Sequence, residues 1–169
     1  MLVIIKNTLK SEFKIINEMN DHDTAEIMKL SLWKENKKFN IYGIYSSPGN
    51  KYLLLDTLDI TPSTLVIRDF NAASPSWGYN YYNHAGRTVE EFNSQKLELL
   101  YHPEDQKTFL HYSSSTTNPD LTMVSSDIYE HSQKTVLEDL GSSHPATHNY
   151  PTEGTNGCVS IGFECVQIQ

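Results

Sequence analysis

Cysteine is scarce in this sequence: Cys158 and Cys165 are the whole complement of a 169-residue chain. Two thiols cannot supply the disulfide framework that staples small secreted domains. They stand an odd number of residues apart, so on a single strand they would face opposite sides, which favours neither a mutual disulfide nor a shared zinc ion. A reducing, intracellular setting is therefore the default expectation, with nucleus and cytoplasm both open. Long apolar runs are also missing, so no membrane span or membrane partner is expected. The start, Met1-Leu2-Val3-Ile4-Ile5, has neither the charged region nor the cleavage site of a signal peptide and reads as a strand. Positive charge is short as well: 13 Lys and Arg face 21 Asp and Glu, for a formal net charge of −8. Lys6, Lys10, Lys14, Lys34, Lys37 and Lys38 fall in the first quarter, and the remainder is acidic. A protein that grips nucleic acid by its backbone shows a basic patch, so strong non-specific binding is not supported. Chemistry on phosphates mediated by a metal ion is left open.

What is present suits one domain with enough core to fold: 38% of residues are hydrophobic. Residues 26–33 put Met28, Leu30 and Leu32 on one face and Lys29 and Ser31 on the other, the pattern of a half-buried strand. Lys34-Glu35-Asn36-Lys37-Lys38 reads as a charged hairpin turn, with residues 39–45 returning. Residues 51–58 suggest a short helix and 65–67 a buried strand. Residues 71–86 form a long polar loop whose Trp77, Tyr79, Tyr81 and Tyr82 are read as packing it onto the sheet rather than stacking on bases. Thr88-Val89-Glu90-Glu91 resembles a capping box that starts a helix, with Val89, Phe92, Leu97, Leu99 and Leu100 as its apolar face and Pro103 as its stop. Residues 108–112 and 121–124 read as strands around a polar loop, and 158–168 alternates like a final strand. There is no internal repeat. Strands mixed with a pair of helices predict an α+β fold.

The stretch with chemical promise is Leu65-Val66-Ile67-Arg68-Asp69-Phe70-Asn71. Its apolar run ends in a carboxylate and a carboxamide that share a face, because side chains alternate along a strand. Polar groups at the C-terminal end of a core strand are where α/β folds tend to place chemistry. The plain alternative is that Asp69 and Asn71 only open a turn.

Asp69-Phe70-Asn71-Ala72, with Ser74-Pro75-Ser76-Trp77-Gly78 behind it, resembles the endonuclease/exonuclease/phosphatase superfamily, and most closely the apurinic-type endonuclease domain of jockey-like non-LTR retrotransposons. Ile44-Tyr45-Ser46-Ser47-Pro48 is similar to that family's Tyr-x-x-Pro element, and Asn83-His84-Ala85-Gly86 to its Asn-x-x-Gly. Pro119-Asp120-Leu121-Thr122 and Gly141-Ser142-Ser143-His144-Pro145 resemble its last two active-site strands. The resemblance covers residues 1–146 as a partial domain, with 147–169 a divergent loop and strand of the same domain. It implies a two-layer β-sandwich flanked by helices (the DNase I-like fold), read here as lacking the first strands. It also implies DNA as substrate, Mg2+ or Mn2+ as cofactor, and a reverse transcriptase domain in the parent element. Oligomeric state is left open.

By motif position Asp69 would activate water and touch the metal, Asn71 would hold it or the phosphate, and Tyr45 would donate to a phosphate oxygen. His144 would contact the scissile phosphate, oriented by Asp120, whose carboxylate favours the charged imidazole. Other histidines (His22, His84, His102, His111, His131) lack ligand spacing.

Three departures bear on activity. The family has Ser-Asp-His where this chain has Ser142-Ser143-His144, and serine cannot replace the charge of a metal-site carboxylate. Arg68 stands where the family has Gly. The two strands that carry the family's Asn and metal-binding Glu have no counterpart ahead of Met1, and Glu26 is read as a surface or edge residue. The expectation is a truncated, inactive copy, with magnesium binding severely weakened and no cutting of DNA. The alternative is a catalytically dead domain kept as a binding or interaction module.

Overall fold

The computed structural model describes residues 3–4, 9–19, 25–34, 36–51, 53–105, 107, 109–110, 116–136, 158–161 and 164–168. In chain order the elements are β1 (Val3–Ile4), β2 (Lys10–Asn17), β3 (Ala25–Lys34), β4 (Lys37–Ser46), β5 (Thr64–Asp69), α1 (His84–Lys96), β6 (Glu98–Leu99), β7 (Phe109–Leu110), β8 (Thr116–Thr117), β9 (Asp120–Val124), α2 (Ser126–Tyr129), β10 (Ser132–Val136), β11 (Cys158–Ile161) and β12 (Glu164–Ile168). They form a six-stranded sheet in the order β2-β3-β4-β5-β9-β6, a four-stranded sheet in the order β1-β11-β12-β10, and the two-stranded ribbon β7-β8. The α+β class expected from the sequence holds. Among the described residues no helix is long and apolar enough to cross a membrane.

The six-stranded sheet begins with a hairpin whose turn the sequence announces. Lys34 pairs with Lys37, and Asn36 between them takes φ 68°, a left-handed conformation that asparagine tolerates better than most residues. β4 then pairs with β5 in parallel, Asn40 opposite Thr64 through Gly43 opposite Ile67. A parallel pair needs a crossover. Here it is a short 3-10 turn at Leu55–Thr57, held down by buried Leu53, Leu55 and Leu58. Tyr42 Oη donates to Asp59 O at 3.0 Å, and Asn40 Nδ2 to Thr61 Oγ1 at 2.8 Å, so the crossover is stitched to the strand it leaves.

Both faces of the sheet's centre are buried. One gathers Ile27, Tyr42, Ile44, Val66, Leu121 and Met123 under α1, which contributes Ala85, Val89 and Phe92. The opposite one gathers Leu30, Leu32, Ile41, Leu65, Ile67 and Val124 with Ile128 of α2. Apolar residues on alternating positions of both faces explain the nearly continuous apolar run at 65–67. β3 is likewise more buried than the expected half: Ser31 lies on its other face at 5% exposure, its hydroxyl bonded to Asn40 Oδ1 at 3.0 Å.

Four expectations are corrected. β2 was not anticipated, because Phe13 and Ile15 are exposed and no buried face marks the segment; it pairs antiparallel with β3. The helix begins at His84, not at Thr88, capped by Asn83; Thr88 instead donates to the His84 carbonyl at 3.2 Å. It also ends at Lys96, well before Pro103, and Leu99 enters β6 to pair with Met123. In place of one final strand there are two antiparallel ones, Cys158–Ile161 and Glu164–Ile168, with Ser160 opposite Cys165, so the two cysteines are on different strands.

Candidate active site

The described part of the site is built where β4, β5 and β9 end together. Asp69 lies directly opposite Asp120. Two residues beyond the last β4–β5 pair, Gly43 with Ile67, bring Tyr45 level with Asp69. Paired residues on adjacent strands share a face, so Tyr45, Asp69 and Asp120 form one row across three strands. Glu26 of β3 extends that row, standing opposite Tyr45. Its expected place at a surface or edge is corrected: β3 is an interior strand and Glu26 is half-buried.

Asn71 fixes the ends of these strands to each other. Its φ of 45° is left-handed, and its backbone N–H donates to Asp69 Oδ1 at 3.0 Å. That is the turn the plain reading foresaw, and it also orients the carboxylate. The Asn71 side chain does something a simple turn would not: Nδ2 donates to the Ser46 carbonyl at 2.7 Å, clamping the end of β4 beside β5. Ser46 is fully buried, and its hydroxyl accepts from Asn50 Nδ2 at 3.0 Å.

The loop that follows is a chain of local caps. Ser74 Oγ accepts from Ser76 N at 3.0 Å, Pro75 occupies the first position of a 3-10 turn, and Gly78 closes it with φ 91°, a conformation glycine adopts without steric cost. Trp77 is 1% exposed and donates Nε1 to the Ala72 carbonyl at 3.0 Å. Each residue of the Ser-Pro-x-Trp-Gly string except Ser76 is thereby accounted for by the loop's own folding; Ser76 joins Ser74 in donating to Glu90 of α1. Those two hydroxyls hold the Glu90 carboxyl below its usual range.

Asn83 connects the loop to the row. Its Oδ1 accepts from Gly86 N at 2.7 Å, capping α1, and from Ala73 N at 2.9 Å. Its Nδ2 donates to the Asn71 carbonyl at 2.7 Å. Gly86 must be glycine for a packing reason: a Cβ there would lie 1.9 Å from the Ala73 carbonyl oxygen. The Asn-x-x-Gly element thus seats the helix start against the strand-end loop. Sequence reasoning noted the element but not this positioning role; three simultaneous partners for one carboxamide were not readable from its spacing.

A cleft of about 630 Å³ opens at the Asp69 end of β5, lined among others by Pro48, Gly49, Asp69, Asn71, Tyr79, Tyr81 and Asn83. Burial raises the Tyr79 hydroxyl above its ordinary 10.0; a hydrogen bond with Thr117 works against this, and the nearby Tyr81, Asp69 and Asp120 add to the rise. Tyr79 is therefore a neutral hydroxyl at any working pH. Lys134 of β10 donates to the Asp120 carbonyl at 3.3 Å, which brings the four-stranded sheet to the same corner. His144 and Ser143 lie outside the described residues.

A family model described as endonuclease-reverse transcriptase matches residues 39–148. The chain belongs to this family. The matched span contains Tyr45, Asp69, Asn71, Asp120 and His144. Among solved structures, the endonuclease domain of TRAS1, a telomere-specific non-LTR retrotransposon, is similar with a TM-score of 0.65 at 13% identity, over 98% of this chain and 71% of that one. At that identity the likeness is one of fold, which is DNase I-like. No curated protein matches the chain.

Membership of an endonuclease family points to a divalent metal, and the donors that meet here fit one in kind. Asp69, Asp120 and the Asn71 carboxamide offer hard oxygens, and magnesium takes one or two carboxylates while keeping several waters. Among the described residues no three or more His, Cys, Asp and Glu side chains are grouped so as to hold a metal ion.

Proposed function

We propose that the chain is a retrotransposon-derived, magnesium-dependent endonuclease domain that hydrolyses phosphodiesters of DNA. The observation that carries the reading is the row Tyr45–Asp69–Asp120, with Asn71 bonded to Asp69 at its end and a cleft lined by Asp69 and Asn71. Phosphodiester hydrolysis needs a base or orienting group for water, donors for the phosphate oxygens, and compensation of charge. In this reading Asp69 orients and deprotonates the water and contacts the metal, its carboxylate aimed by the Asn71 N–H. Tyr45 and the Asn71 carboxamide donate to phosphate oxygens. His144 takes the scissile phosphate and Asp120 holds its imidazole; both roles rest on motif position. Magnesium would supply neutralisation of the phosphate, held by Asp69 with Asp120 near it. Residues 1–146 carry the domain and 147–169 belong to the same domain, a reading whose second half is supported by the pairing of β11 and β12 with β1 and β10.

Ser143 in place of the family's aspartate removes one metal-site carboxylate, so weak metal binding is part of the proposal. The test is calorimetric titration with Mg2+ beside cleavage of an end-labelled duplex. Expected are metal-dependent strand breaks that EDTA stops, and tighter Mg2+ binding in Ser143→Asp. Magnesium binding indifferent to both Ser143→Asp and Asp69→Ala would overturn the reading.

A further inference from the structure

Trp77 and Tyr79 do what the sequence predicts of the loop aromatics: the first is buried and the second packs against the core. Tyr81 and Tyr82 do not, being 55% and 41% exposed. Large rings left in water need a reason when they border a cleft. Tyr81 lines the cleft that holds Asp69 and Asn71, and its ring stands edge-on to Tyr79, 84° between planes at a centroid distance of 5.8 Å. A T-shaped contact steadies the ring, and its exposure leaves ring surface open to the cleft. At the next residue the Arg87 guanidinium stacks over the Tyr82 ring at 4.8 Å, on a helix seated by Asn83 and Gly86. An aromatic surface thus shares the cleft with the Asp69 carboxylate, and a cation sits on the adjoining Tyr82, in a chain whose net charge of −8 otherwise repels polyanions.

Building on the hydrolase reading, we propose that Tyr81 is a stacking platform for an unpaired nucleobase next to the scissile phosphodiester, with Arg87 contacting a neighbouring phosphate. Stacking suits an acidic protein because it draws on the π-face of a base and not on counterion release, and it is tolerant of sequence. A base inside an intact duplex has no free face, so the favoured ligand is single-stranded or locally opened nucleic acid.

The test uses the full chain carrying Asp69→Ala, in EDTA, with a fluorescein-labelled oligodeoxynucleotide of mixed sequence and an all-abasic strand of the same length. Expected is tighter binding of the base-bearing strand, a loss of about tenfold in Tyr81→Ala, within the range typical of base–aromatic stacking, and recovery in Tyr81→Trp, with Trp fluorescence quenched by the base-bearing strand alone. Arg87→Ala should flatten the dependence of affinity on salt. Melting temperatures matching the parent show that each variant is folded. Equal affinity for both strands, or unchanged binding in Tyr81→Ala, overturns the proposal. If the protein with Asp69 intact still nicks DNA in that event, the hydrolase reading stands without it; base-dependent binding with no magnesium-dependent nicking overturns the hydrolase reading alone.

Discussion

Replacing Asn83 with alanine removes one carboxamide from three partners at once. The lost bonds are the cap on Gly86 N, the bond to Ala73 N, and the donation to the Asn71 carbonyl. Loss of an N-cap costs about 1 kcal/mol, and each further hydrogen bond at a half-buried site about as much. Asn83→Ala should therefore destabilise the fold by about 3 kcal/mol. For a chain of this size each kcal/mol lowers the midpoint by roughly 2–4 °C, so a fall of about 6–12 °C is expected in thermal unfolding followed by circular dichroism. Asn83→Asp separates the contributions. A carboxylate keeps both acceptor bonds and suits a helix N-terminus, but it cannot donate to Asn71 and points charge at that carbonyl; its loss should be about 1 kcal/mol. A midpoint for Asn83→Ala within 2 °C of the parent, or Asn83→Asp melting lower than Asn83→Ala, would refute the three-bond account.

Gly86→Ala should be worse than its helix propensity suggests. The new Cβ meets the backbone of Ala73 at 1.9 and 2.7 Å, which no side chain can relieve, so a loss of about 3 kcal/mol is expected where an open helix site would gain about 1; equal or higher stability in urea titration would count against the packing. Glu90 carries a pH signature. Its folded pKa is depressed below the ordinary 4.5 by Ser74 and Ser76, so its stabilisation is complete above pH 4.5 and is lost as pH falls through the lower folded value. Glu90→Gln should thus be less stable than the parent at neutral pH, and the gap should close in acid; a constant gap between pH 7 and pH 3 would contradict this. Asp127→Asn should loosen the link between α2 and the start of β5. Burial of Asp127 is outweighed by the hydroxyl of Ser125 and the N–H and hydroxyl of Ser63, which lower its pKa, so faster amide exchange at Ser63 and Thr64 is expected, and unchanged exchange would argue that the link carries no stability.

Local signals made much of the frame legible. Asn36 in a lysine-rich turn marked the β3–β4 hairpin, the apolar run before Asp69 marked β5, and Asp120 marked the start of β9. Elements whose stability is tertiary were hidden. β2 leaves Phe13 and Ile15 in solvent, so its pairing with β3 leaves no trace in its burial pattern. The start of α1 is set by Asn83 and by the close approach of Gly86 to Ala73, and a Thr-x-x-Glu string four residues later imitates a start that does not occur. The motif residues Tyr45, Asp69, Asn71 and Asp120 could be named from the sequence, but their meeting depends on strand register. Three strands aligned to a residue are needed for the row, and no local pattern states that alignment. Glu26 was set aside for the same reason, since only the sheet order reveals β3 as interior.

The measurement that bears most directly on the account is conversion of supercoiled plasmid to open circle in magnesium by Ser143→Asp, with and without Asp69→Ala. The account predicts magnesium-dependent nicking by Ser143→Asp, faster than by the parent chain, and none once Asp69 is also alanine. Nicking that survives the loss of Asp69, or no nicking by a folded Ser143→Asp protein that binds magnesium, would contradict the claim that this strand-end row is a hydrolytic centre.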